Sequence, residues 1–115
     1  MTSVVDYQDA IDKAGGNAEL AKELFGMLLQ ELPLLRQQLQ DAIAQANHEA
    51  IWDHAHKLYG STAYCSVPQL RLAAADMEAT VKTRELPAIQ AQYVKLAAAI
   101  DELLQHGPGH LTASW

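Results

Sequence analysis

Apolar residues recur along the chain at intervals of three and four rather than two, the period of helix and not of strand. Leu20, Leu24, Met27, Leu28, Leu35, Leu39 and Ile43 make one stripe, and Ile51, Ala55, Leu58, Thr62 and Cys65 make a second. Leu70, Ala73, Met77 and Val81 form a third, and Ile89, Tyr93, Leu96, Ile100 and Leu103 a fourth. Four amphipathic helices follow, each with one face to bury. A shorter helix is expected before them, over about Asp6 to Ala14, closed by Gly15-Gly16. Asn17 is placed to cap the next helix, with Glu19 and Glu23 near its positive end.

The breaks carry their own chemistry. Pro33 has no N–H and crowds the turn before it, so it should interrupt or kink the long second element. Ala46-Asn47-His48 reads as a joint. Ser66-Val67-Pro68 reads as a tight corner, with Ser66 as cap and Pro68 at the first helical position. Thr83 to Pro87 is the next corner. Gly107-Pro108-Gly109 is expected to end the last helix and leave 107–115 as a frayed tail. Connections this short make neighbours antiparallel. The expectation is an all-α, up-and-down four-helix bundle with a short N-terminal cap helix, one domain over 1–115 with its ordered bundle at about 6–105.

Composition agrees and narrows the field. The 115 residues include 20 Ala and 16 Leu but only 5 Val and 5 Ile, which leaves a β sandwich or barrel without its usual residues. Eight basic against 14 acidic side chains give a net charge of −6, and no basic run occurs. A nucleic-acid partner is therefore not expected, because a binder needs a Lys/Arg patch to displace phosphate counterions. The longest apolar run, Leu96 to Ile100, is five residues, far below the roughly 20 that cross a bilayer, and no membrane contact is expected of this domain. Met1 to Ala10 has no positive n-region of a signal peptide. The lone Cys65 has no internal disulfide partner and fits a reducing cytoplasm.

Chemistry is sought first among the five histidines. His54 and His56 are two apart on one helix, roughly 200° around it, and cannot chelate one metal together. His56 lies beside the buried stripe, at the edge between core and solvent. One turn on comes Gly60, a residue that costs a helix interior about 1 kcal/mol against alanine. Its absent side chain clears space beside the imidazole. Lys57, Ser61 and Thr62 add a positive charge and hydroxyl donors, groups that suit a phosphoryl oxygen better than a metal. Trp52 and Tyr59, one turn to either side, are candidate partner-docking residues, as is Ser61. If the third and fourth helices fold back about Val67, Glu78 comes level with His56, since each lies eleven residues from that corner. A carboxylate there can accept the Nδ1 proton, fix the tautomer and leave Nε2 as the exposed nucleophile. His48, His54, His106 and His110 read as surface residues, and Cys65 and Thr62 as core.

His56-Lys57-Leu58-Tyr59-Gly60-Ser61-Thr62-Ala63, followed by Leu70 and Met77-Glu78, resembles the histidine-containing phosphotransfer (HPt) domain, whose pattern runs H-x-L-K-G-S-S/A with a downstream L-E/Q. Gly15 to Ala21 and Tyr64 to Leu70 are similar to the C-terminal HPt domains of BarA/GacS-type hybrid sensor kinases. The resemblance covers about residues 6 to 105, and Tyr59 stands where the pattern has lysine. It implies that His56 takes a phosphoryl group on Nε2 from a receiver-domain aspartate and passes it to another. Glu78 aligns with the group that bonds Nδ1, and Gly60 with the glycine that permits approach. It implies a phosphotransfer intermediate without kinase activity, monomeric, holding no cofactor or metal of its own, with Mg²⁺ brought by the receiver. The implied location is cytoplasmic, including the cytoplasmic end of an inner-membrane sensor kinase. Two other readings stay open: a helical adaptor bundle without phosphotransfer, and a metal-carboxylate bundle using Asp53/His56 and Glu102/His106.

Overall fold

The computed structural model describes residues 5–115; residues 1–4, the start of the single domain expected over 1–115, lie outside the described part. Helix α1 runs Tyr7–Lys13, α2 Ala18–Ala44, α3 His48–Ser61, α4 Pro68–Val81 and α5 Leu86–Leu111. Asp6, Asn17 and Asn47 each cap the helix they precede, their side-chain oxygens accepting the N–H of Asp9, Leu20 and Ala50. Between α1 and α2 the chain turns through Gly15 and Gly16 at φ 70° and 86°, backbone values that other residues adopt only at a cost. Helices α2 to α5 form a ring in which the backbone of each runs beside its two neighbours. Their buried faces meet in one core, with Leu32, Leu39, Ile51, Met77, Ile89, Leu96 and Ile100 sealed from solvent.

Length decides the architecture. At about 1.5 Å per residue, the 27-residue α2 and 26-residue α5 span roughly 40 Å, whereas α3 and α4, at 14 residues each, reach about half that. The molecule is accordingly 42 × 25 × 24 Å. The α3–α4 hairpin covers the C-terminal part of α2, and the remainder of α2 must be covered otherwise. Helix α1 and the end of α5 do so. Tyr7, Phe25, His110 and Trp115 form an aromatic cluster there, with Trp115 Nε1 donating to the His110 carbonyl at 2.7 Å.

Several local expectations are corrected. Helix α5 does not stop at Gly107-Pro108-Gly109 but continues through it to Leu111. A Cβ on Gly107 would lie 2.7 Å from Leu29 Cδ2 and 3.4 Å from Phe25 Cζ, so this glycine lets α5 close against α2. Pro108 is exposed on the far side and forfeits only its own N–H. Tertiary packing thereby holds 107–115 where local propensity predicts fraying. Of the two outcomes expected at Pro33, interruption does not occur: α2 runs on through it, with Leu32 and Leu35 buried on either side. Ser66 does not cap α4; the N-cap is Val67, without a side-chain bond, and Pro68 opens the helix. The Ser66 hydroxyl instead donates to the Asp9 carboxylate, and its carbonyl accepts from Asp6 N at 2.8 Å, pinning α1 to the α3–α4 corner. Leu20 and Met27 leave the first stripe and are exposed, their places in the core being taken by Ala21, Phe25 and Leu29.

Candidate functional site

On α3 the residues Ile51, Ala55 and Leu58 point into the core. His56 follows Ala55, and one helical step of 100° carries it out to the α3–α4 seam with 64% of its side chain exposed. On α4 the same logic applies: Glu78 follows the fully buried Met77 and lands on the facing edge, only 15% exposed. The hairpin brings the two level, His56 Nδ1 lying 2.7 Å from Glu78 Oε1. A carboxylate only accepts, so the Nδ1–H donates, and in the neutral imidazole this tautomer has its lone pair on Nε2. Placed in solution this pairing would be weak, but Glu78 is mostly sheltered and α4 fixes its backbone.

Around this pair the remaining residues are arranged unequally. Gly60, one turn after His56, is exposed, and a Cβ there would meet nothing within 4 Å. Among the described residues nothing occupies the space a side chain would take there. Lys57 is exposed and lines a cleft of about 350 Å³ between α2 and α3, shared with Gly60, Ser61, Tyr64 and Glu31. The Ser61 hydroxyl donates back to the Lys57 carbonyl at 3.0 Å. Trp52 stacks on the imidazole, ring centres 5.4 Å apart.

Tyr59 is held by a residue that sequence reasoning did not single out. The Arg71 guanidinium lies 4.5 Å from the Tyr59 ring centre, and its Nη2 donates to the Tyr59 hydroxyl at 3.1 Å. Helix α4 thus supplies a cation on the flank where the family pattern has lysine. The Arg71 spacing carried no signal, because nothing in a single helix says which neighbour it faces. Sequence reasoning also missed an apolar patch on the α2 side, made of Met27 (51% exposed), Leu34 (62%) and Tyr64 (68%), beside Lys57. The hint was present: Leu20, Met27 and Leu34 recur every seven residues, a row separate from the buried one.

The other candidates fall elsewhere. His106 is exposed and His54 half-buried, but His110 is not a surface residue; it sits in the aromatic cluster with its Nδ1 bonded to the Tyr7 hydroxyl. Thr62 is buried with its hydroxyl donating to the Tyr59 carbonyl at 2.6 Å. Cys65 is buried, and burial pushes its thiol up to about 11, which removes it as a nucleophile near neutrality. No group of three or more His, Cys, Asp or Glu side chains suited to a metal ion occurs among the described residues.

Comparison with known proteins decides the family. A family model described as "Hpt domain" matches residues 23–106, most of the chain and all of the α3–α4 hairpin. The chain belongs to the Hpt domain family. Sensor histidine kinase GacS of Pseudomonas protegens is 36% identical over 110 residues, a match that takes in 96% of this chain and 11% of that protein. Signal transduction histidine-protein kinase BarA of Escherichia coli K12 is 35% identical over 69 residues, 60% of this chain and 8% of that one. This Hpt chain therefore spans about a tenth of the length of the curated relatives it matches. The crystal structure of an HPT domain from a Shewanella sensor hybrid histidine kinase superposes with a TM-score of 0.73 over 96% of this chain and 97% of that one, at 24% identity, and so shares its fold. An Hpt domain is a helical phosphotransfer module of two-component phosphorelays, the role expected from His56 to Ala63 and Met77-Glu78. No helix of this Hpt domain is long and apolar enough to cross a membrane among the described residues.

Proposed function

We propose that His56 is the phosphoacceptor, and that the domain relays a phosphoryl group between receiver domains of a hybrid sensor kinase and a response regulator. The observation that carries this is the 2.7 Å contact of His56 Nδ1 with Glu78, on an imidazole whose side chain is 64% exposed. The Nε2 lone pair attacks phosphorus of a receiver aspartyl phosphate, the P–N bond forms, and the P–O bond breaks with its electrons returning to the receiver carboxylate. With Nδ1 still protonated, the ring now carries a positive charge. Glu78 balances that charge through a charge-assisted hydrogen bond, a role worth roughly 1.5–3 kcal/mol. Transfer onward reverses each step, the ring leaving neutral. Gly60 leaves room for the phosphoryl oxygens, and Lys57 offsets their charge.

The receiver brings the Mg²⁺ and the acid pocket, so this domain needs neither ATP nor a kinase activity. The exposed Met27, Leu34 and Tyr64 beside Lys57 give the receiver an apolar surface to rest on, with Ser61 at its border. The parent chain is read as a hybrid sensor kinase with this domain at its cytoplasmic end, the domain itself being monomeric and contacting neither nucleic acid nor membrane. Incubation with a ³²P-labelled receiver tests the core of this: acid-labile, alkali-stable label should appear on the wild-type domain and not on His56→Gln. Label that persists in His56→Gln, in a protein folded like wild type, would assign the chemistry to another residue.

A further inference from the structure

Trp52 and the imidazole of His56 lie nearly parallel, their planes 16° apart and centres 5.4 Å apart. Lys82, at the end of α4, sets its ammonium 5.5 Å from the centre of the same indole. A helical side chain leans back toward the N-terminus, over the residue four before it. His56 therefore leans onto Trp52, and a side chain at position 60 would lean onto His56. Position 60 has none, and the space a Cβ would take is empty. The imidazole is thus covered by indole on one face, tethered at Nδ1 by Glu78 and uncovered toward Gly60.

We propose that Trp52 is a positioning residue for phosphotransfer at His56: its indole blocks rotation of the imidazole about the Cβ–Cγ bond, holds Nε2 outward, and confines the phosphoryl group to the Gly60 side. Lys82 keeps the indole in place through the cation–π contact. One contact at Nδ1 leaves the ring free to pivot about that hydrogen bond; a flat wall against its face removes that freedom. Trp52 serves the same reaction whether the donor is large or small, because it acts on the nucleophile and not on the partner. This inference rests on the reading of His56 as phosphoacceptor.

Phosphoramidate separates the two roles open to Trp52. It phosphorylates imidazole directly, its own P–N bond breaking and ammonia leaving as the bond to Nε2 forms, and it docks on no protein surface. Trp52→Ala and Trp52→Leu should each slow labelling of His56 by phosphoramidate about three- to tenfold, and Trp52→Phe, which keeps a flat ring, should recover most of the rate. The ¹⁵N signals of the imidazole should sharpen to the Nδ1–H tautomer in wild type and Trp52→Phe and average between tautomers in Trp52→Leu. Phosphoramidate rates unchanged in Trp52→Leu, with transfer from a phosphorylated receiver alone impaired, would overturn the inference and make Trp52 a docking residue. Should Trp52→Ala fail to fold, the Leu and Phe variants decide. Absence of label from wild-type His56 with either donor would instead remove the phosphoacceptor reading on which this stands.

Discussion

Two histidines in this molecule have nearly the same ingredients around them and opposite fates. His56 has a tryptophan against its ring, a bonding partner at Nδ1 and a helical glycine one turn away. His110 has Tyr7 at its Nδ1, aromatic rings about it and a helical glycine, Gly107, three residues before. At His56 the glycine opens onto solvent; at His110 it opens onto Leu29 and Phe25. The first arrangement leaves an imidazole accessible, and the second closes a core. A glycine beside a histidine thus has no fixed meaning, and what its missing Cβ would have met decides whether the gap is for a ligand or for a neighbouring helix.

Substituting the two glycines breaks this comparison most sharply. Gly107→Ala forces Leu29 to shift and should cost about 1–3 kcal/mol of unfolding free energy, an overpacking effect. Gly60→Ala meets nothing and should gain up to about 1 kcal/mol from helix propensity while slowing phosphotransfer. Urea melts read both. A destabilised Gly60→Ala would mean that this glycine serves the fold. Trp115→Ala should destabilise by about 0.5–3 kcal/mol and leave transfer rates at wild-type values, because the rings it packs on, Tyr7 and Phe25, are not the one against His56. A melt indistinguishable from wild type would restore the frayed tail.

The smallest effect is electrostatic. The Ser66 hydroxyl and then Lys13 hold the Asp9 carboxyl below its ordinary value of 3.8. A lowered folded value contributes stability above the unfolded one, and that contribution is lost as pH falls through the lower folded value. Asp9→Asn should therefore flatten the acid limb of a stability–pH profile below about pH 4 and be less stable than wild type at neutral pH, the two converging as acid protonates Asp9. An identical acid limb would show that the α1 contact is not ionic.

How much of this was legible beforehand follows from what each feature depends on. The four buried stripes, the capping Asn17 and the Pro68 start are local, and the sequence periodicity and cap chemistry specify them. The level pairing of His56 with Glu78 was readable because a short symmetric hairpin converts chain distance into height. Gly107-Pro108-Gly109 was misleading because its two strongest helix breakers face different surroundings, one a neighbouring helix and one water. Arg71 over Tyr59 and Lys82 over Trp52 are contacts between helices set by rotation about their axes, which a stripe alone leaves undetermined within tens of degrees. Leu20 and Met27 show the same: each sits near the stripe, and a modest rotation places them in water.

The central claim is that Glu78 holds Nδ1 so that Nε2 takes the phosphoryl group, and an NMR experiment tests it without intermediaries. Uniformly ¹⁵N-labelled domain, phosphorylated by a receiver and observed at ³¹P and ¹⁵N, should show the phosphorus coupled to Nε2 of His56, with Nδ1 still bearing its proton. Phosphorus coupled to Nδ1 of His56, or to any other residue, would contradict the account.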